Sequence, residues 1–127
     1  MRGTWLVGVA LLCGCASGSL EEPQAKYMVL TAFQEVAMQT VVTEELDARD
    51  RSFFGTKAGV YTNGSIIVCG WVRGTTRKAG FTGSVPYVGY FRNRDGAFVL
   101  SLLGRSRDES EAIIDKCRAI GLRISTR

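Results

Sequence analysis

Cys69 and Cys117 constrain this fold more than any other pair of residues. The 127-residue chain has four cysteines, and only these two lie beyond residue 15. Cys69 sits in a stretch, residues 65–73, that alternates as a strand does: Ile67, Cys69 and Trp71 point one way, and Ile66, Val68 and Val72 the other. Cys117 shares the inner face of a helical pattern with Ile113 and Ile120. Packing that face onto the strand brings the two sulfurs together. In an oxidising compartment the pair is expected as a disulfide. In a reducing one it is two buried thiols that pack as small hydrophobes. The two lie too far apart in sequence for a Cys-x-x-Cys redox motif.

The first residues speak to the compartment. Arg2 is the only charge in the first twenty residues, and Trp5 to Leu12 is a short apolar run. Small residues follow it, the pattern of a secretory signal. The run is well short of the about 20 residues that cross a bilayer as a helix. Leu12-Cys13-Gly14-Cys15 resembles the lipobox of bacterial lipoproteins, with an aliphatic residue three before the modified cysteine and a small one just before it. The resemblance implies cleavage before Cys15 and lipid on Cys15. Cys13 does not fit that role, because Leu12 would precede it. Several acyl chains make anchoring stable where one binds only marginally. Ala16, rather than Asp, after the cysteine resembles proteins sent on to the outer membrane. The expected organisation is a signal peptide over 1–14, a tether over 15–25 with Glu21-Glu22-Pro23 at its end, and one domain over 26–127.

A hydrophobic content of 46% fits a globular chain. Charge is uneven: residues 15–50 hold two basic and seven acidic residues, a net of −5, whereas residues 51–127 hold thirteen basic and five acidic, a net of +8. A basic domain often suggests nucleic acid. Export argues for an anionic envelope partner instead, such as lipid head groups, lipopolysaccharide or an acidic protein. The alternative is that the acidic helix lies against the basic sheet, or that both are simply solvated. Histidine is absent, which removes Ser-His-Asp and Cys-His catalysis and the commonest zinc ligand. Gly74-Thr75-Thr76-Arg77-Lys78-Ala79-Gly80 has five residues between its glycines, and Phe81-Thr82 stand where a phosphate loop needs Lys and Ser or Thr. No nucleotide, metal or other cofactor is expected.

Along the chain, residues 24–47 read mostly as helix, with Leu30, Phe33, Ala37 and Val41 as its apolar stripe. The β-branched run Thr40-Val41-Val42-Thr43 predicts a break. Phe53 and Phe54 are expected to fold into the core after a polar link. Asn63-Gly64 predicts a type I′ hairpin turn between strands. A second hairpin pairs residues 85–92 with 97–103 around Asn93-Arg94-Asp95-Gly96, and Gly74 to Ser84 is a loop between hairpins. Ser106 and Glu109 form a capping box for the last helix, and Gly121 ends it with Leu122 packing back. The predicted fold is α+β: an N-terminal helix, a four-stranded antiparallel meander, and a C-terminal helix packed on the sheet, with both helices on one face.

Residues 69–87 resemble a family of small exported bacterial proteins whose motif runs Cys-Gly-x-Val-Asn, a spacer with a second Asn, then Gly-Gly-Tyr/Phe-x-Gly-x-x-Pro/Arg-Phe. Cys69, Gly70, Val72, Gly80, Phe81, Gly83, Pro86 and Tyr87 match. Arg73 and Thr76 stand where the motif has Asn, and Asp50 to Phe54 is loosely similar to the family's Asp-Pro-x-Ser-x-x-Phe. The resemblance implies an exported α+β domain and no activity. Physically, Gly80 and Gly83 allow positive φ, Phe81 packs between hairpins, and Pro86 starts a strand where a missing N–H is harmless.

The expected function is therefore a non-enzymatic, lipid-anchored envelope domain that binds a ligand or braces an assembly. The candidate binding loop is Arg73, Arg77 and Lys78, with Phe81 as an apolar contact. The alternative is a periplasmic inhibitor or exclusion factor acting through residues 74–84. A small hydrolase comes third; its candidate groups are Tyr87, Lys78, Asp95, Asp108 and Glu109. The last three also read as a turn residue and first-turn helix acids.

Overall fold

The strand around Cys69 is apolar on both faces, and both faces are covered in the computed structural model, which describes residues 23–47, 50–75 and 82–125. Five strands form one antiparallel sheet in sequential order: β1 (Lys26–Met28), β2 (Ser52–Val60), β3 (Ile66–Thr75), β4 (Thr82–Phe91) and β5 (Phe98–Leu103). Helix α1 (Ala32–Leu46) lies between β1 and β2 in the chain, and α2 (Arg107–Ala119) follows β5. One core joins Met38, Val42 and Leu46 of α1 to Val68, Val72, Val85 and Tyr87. A second joins Ile113 and Cys117 of α2, with Ile120 and Leu122, to Ile67, Cys69, Trp71 and Val88. The α+β class and antiparallel meander are as expected. The meander has five strands rather than four, and the helices flank it on opposite faces rather than sharing one.

The added strand comes out of the predicted first helix. Lys26, Tyr27 and Met28 pair with Val60, Gly59 and Ala58, and Thr31 begins the helix with a capping box closed by Gln34. Two residues assigned to the tether also belong to the fold: Ala25 N–H donates to Ile120 O at 3.0 Å, and Gln24 Nε2 to Ala119 O at 2.7 Å. The helix runs unbroken through Thr40 to Thr43: Val42 is buried in the core with Met38 and Leu46, and packing overrides the β-branched preference, while Thr40 Oγ1 turns back onto Val36 O at 2.8 Å. Its buried face is Met38, Val42 and Leu46. Ala37 and Val41 lie half-buried at its margin, and Phe33 points out. Asp47 closes the helix in the left-handed region at φ 56°, its N–H donating to Thr43 O.

Asn63-Gly64 does make the β2–β3 turn, in a different form. Gly64 N–H donates to Tyr61 O and Tyr61 N–H to Ser65 O, with Gly64 at φ 93°. Among the described residues Asp47 is the only non-glycine at positive φ, so Asn63 is not in the conformation that type I′ requires. The β3–β4 hairpin is longer than expected: Arg73, Gly74 and Thr75 pair with Ser84, Gly83 and Thr82. Gly74, Thr75, Thr82, Gly83 and Ser84 of the predicted 74–84 loop are thus strand, residues 76–81 lie outside the described residues, and Gly83 is not at positive φ. Pro86 sits inside β4 opposite Trp71 rather than at its start. Its carbonyl accepts from Gly104 just past the end of β5, and Gly104 O, which the missing N–H cannot serve, accepts from Ser110 Oγ at 3.2 Å instead.

Cys69 and Cys117 form a disulfide with Cα atoms 6.3 Å apart, tying β3 to α2. Helix α2 ends as expected. Gly121 is at φ 95°, Leu122 N–H donates to Cys117 O and Gly121 N–H to Arg118 O, and Leu122 packs back at 1% exposure.

Candidate functional site

Arg73 is the one member of the candidate binding loop among the described residues; Arg77, Lys78 and Phe81 lie outside them, as do Gly80, Thr76 and Cys15. Arg73 stands near the end of β3 on the α2 face, two residues beyond Trp71. The β2–β3 register sets Phe54 opposite Trp71, and their rings stack at 6.2 Å and 10°. The Arg73 guanidinium lies over the Phe54 ring, 5.5 Å from its centroid. Its Nε donates to Ser84 Oγ at 3.4 Å. Trp71 Nε1 donates to Ser125 O at 2.8 Å, which fixes the indole beneath the C-terminal segment. Phe53 and Phe54 therefore part company. Phe53 meets Tyr87 edge-on at 6.0 Å on the α1 side, while Phe54 builds this stack on the other.

Beside the stack an open groove of about 660 Å³ runs between β3–β4 and α2, bounded by Trp71, Ser84, Arg107, Glu111, Ile114 and Arg118. A second groove of about 570 Å³ begins at Ile114 and Arg118 and reaches Lys57 and Arg123. Their shared border is apolar at Ile114 and cationic around it. Arg107 pairs with Glu111 at 3.6 Å and Arg118 with Asp115 at 2.5 Å. Lys57 Nζ donates to Arg123 O at 3.1 Å. Among the described residues Lys57, Arg73 and Arg123 pair with no carboxylate. Such cations suit charge-assisted hydrogen bonds to carboxylate or phosphate. The uneven charge along the sequence also has a structural form. Helix α1 carries Glu35, Glu44 and Glu45 with no basic residue, and among the described residues one ion pair joins it to the basic half, Arg105 to Glu45 at 3.0 Å.

The hydrolase candidates are scattered. Tyr87 is fully buried in the α1-side core, its hydroxyl 3.2 Å from Thr56 Oγ1, and burial pushes its phenol up to about 12. Asp95 receives both Nε and Nη2 of Arg92 and the Ala97 N–H. The Arg92 hydrogen bond, then the Ala97 N–H, hold its carboxyl below the usual range. Glu109 accepts from Ser106 N–H at 3.2 Å and Arg105 N–H at 3.0 Å, as a capping acid. Asp108 stands exposed in the first turn of α2. Among the described residues no group of three His, Cys, Asp or Glu side chains could hold a metal ion, and no helix is long and apolar enough to cross a membrane.

The described motif residues have packing reasons. Cys69 is bonded to Cys117. A Cβ on Gly70 would meet the Tyr87 hydroxyl at 2.5 Å, so the ring needs a glycine beneath it. Val72 is in the same core as Tyr87, and Pro86 lies against Gly104. The residues that sequence reasoning missed are Phe54 and Trp71 as partners of Arg73. The β2 bulge after Phe54, with Gly55 at φ 65°, decides which residue faces Trp71. No protein-family model matches the chain, nor does any curated protein or solved structure.

Proposed function

We propose that this protein is a non-enzymatic, lipid-anchored domain of the bacterial cell envelope that binds an anionic envelope component or braces an envelope assembly. The observation that carries the reading is Leu12-Cys13-Gly14-Cys15 behind a short apolar run with a single arginine at its head. The Cys69–Cys117 disulfide supports it, since such bonds persist in oxidising compartments. Lipid on Cys15 holds the domain to the periplasmic side of a membrane, with Ala16 favouring the outer one. The binding residues are Arg73, on the α2 face, together with Arg77, Lys78 and Phe81 of the same stretch of sequence.

The test has two arms. Fatty-acid labelling of growing cells should mark the wild-type chain and not Cys15→Ser. Equal labelling, or a mature N-terminus other than Cys15, overturns the anchor. Crosslinked capture of an anionic lipid or acidic protein should fall in Arg73→Ser with Arg77→Ser and Lys78→Ser, and should weaken with salt in the wild type. Unchanged capture overturns the binding surface.

A second reading, an inhibitor or exclusion factor, is favoured by the length of the β3–β4 hairpin. Its pairing continues through Gly74↔Gly83 and Thr75↔Thr82, past the last β2 partner, Ser52, and the last β5 partner, Leu103. Two described rungs of the hairpin thus lie beyond the partners that β2 and β5 supply. Arg73→Ser alone separates the readings: it weakens capture of an anionic component, whereas an arm that acts through residues 76–81 keeps its inhibition.

A further inference from the structure

Helix α1 has a second apolar side. Phe33 is 82% exposed, Val36 62%, and Val29, two residues ahead of the N-cap, 77%. Phe33 and Val36 are three apart and share one side of the helix, away from the buried Met38, Val42 and Leu46. Thr40 continues that side, and its hydroxyl is turned onto Val36 O, so its donor is not offered outward. A water-facing helix ordinarily carries charge on its outer side. In the first half of α1 only Glu35 is charged, and it lines a small cleft with Val29, Met28 and Thr56 at the edge of this side.

We infer that Val29, Phe33 and Val36 rest in the surface of the lipid bilayer, setting an orientation in which the α2 face, on the other side of the sheet, is turned from the bilayer and meets an acidic protein rather than a lipid head group. The inference rests on the lipid anchor proposed at Cys15. Pro23, where the described chain begins, is eight residue steps on from Cys15, and at about 3.3–3.6 Å each they span at most about 29 Å. Val29 is six residues further on, so the patch cannot leave the neighbourhood of the membrane. Tethering raises the effective concentration of the surface, and a patch too small to bind alone then suffices. A second copy is the poorer occupant, because three side chains fall far short of the about 1,600 Å² that a stable dimer buries. Charge sets the tilt. Glu44, Glu45 and Asp47 crowd the far end of α1, about 1.5 Å per residue along the axis, so anionic head groups repel that end and admit the N-terminal one.

The test uses the full-length chain in its own membranes, with photoreactive benzoylphenylalanine at Phe33 or, as a control, at Arg94 in the exposed β4–β5 turn. Both positions are exposed, so neither replacement disturbs the core. After irradiation, mass analysis should find phospholipid adducts at Phe33 several-fold above those at Arg94, in chains that also carry the fatty-acid label. Labelled chains with equal adducts at the two positions, or with a second copy or another protein captured at Phe33, overturn the inference and leave the anchor standing. Unlabelled wild-type chains overturn the anchor and this inference together.

Discussion

The two helices cover the same sheet from opposite sides, and they are built on different terms. Every local signal in α2 agrees. Ser106 and Glu109 cap it, Asp108 and Glu109 fill its first turn, Lys116 and Arg118 its last, and Ile113 and Cys117 face inward. Gly121 then ends it, and a covalent bond pins it to β3. Helix α1 is capped as well, by Thr31 and Gln34. Beyond that it has no basic residue in its last turn, a β-branched middle, and apolar residues both inside and out. Agreement across levels is what makes a segment fold reliably alone. The difference therefore points outward: α2 is completed within the chain, and α1 keeps an apolar side for something beyond it.

Removing the covalent bond gives the largest way to break this comparison. Cys117→Ala should destabilise the domain by about 4 kcal/mol on a chain-entropy account of so long a loop, a large share of the roughly 5–15 kcal/mol of a small domain. The check is the denaturant midpoint of the variant against wild type, with hydrogen exchange followed in both helices. Protection should fall first in α2. Loss in α1 ahead of α2 would overturn the assignment of the bond as the fastener of the α2 side.

The α1-side core has its own probe in Tyr87. Its phenol is pushed up to about 12 by burial, against about 10 in an unfolded chain. Below pH 10 both states keep the proton and the folded core is undisturbed. Above it the unfolded chain ionises first, so stability is lost as pH rises from about 10 towards 12, by about 1.4 kcal/mol between pH 9 and 11. Tyr87→Phe should remove this part of the slope while costing the hydroxyl contact with Thr56. Urea midpoints of both proteins at the two pH values measure it; parallel slopes refute it.

Smaller still are the two caps. Ser106→Ala and Thr31→Ala each remove the oxygen that receives the N3 N–H and should each cost about 1 kcal/mol. Near-equal losses in thermal denaturation would place the contrast between the helices in their faces, not in their ends. A loss at Thr31 much below that at Ser106 would move it to the caps.

What was legible in the sequence follows the same divide. The faces of β3, the α2 cap, its glycine end and the cysteine pairing could all be read, because each is a local pattern with one physical solution. The opposite placement of the helices was implied by β3 itself: a strand apolar on both sides needs a layer on each. The three residues of β1 were hidden, because Lys26-Tyr27-Met28 has no alternation of its own and depends on β2 for its ladder. The stripe of α1 was misread because apolar residues lie on two sides of it, and periodicity cannot say which side is buried. Of the candidate site, Arg73 could be found from its charge in a glycine-rich setting. The Phe54–Trp71 stack beneath it could not, since a one-residue bulge in β2 sets the register.

The smallest effect on stability is expected from the feature that most separates the helices. Phe33→Ser with Val36→Ser changes two side chains that are 82% and 62% exposed, and the replacements differ little from the originals in helix propensity. Exposed changes away from caps and buried contacts usually stay within about 0.5 kcal/mol. By contrast Met38→Ala, on the inner side of the same helix, empties a fully buried position and should cost about 2–5 kcal/mol. What the outer double variant should lose is stickiness. An exposed apolar patch promotes association in water, so delipidated protein should sediment with less self-association once the patch is polar. Urea midpoints and sedimentation velocity on the same samples read the two quantities separately. A midpoint lowered by more than about 1 kcal/mol would mean that Phe33 and Val36 pack against this domain after all. Unchanged midpoint with reduced self-association fits a side of α1 that adds nothing to folding and is kept for contact elsewhere.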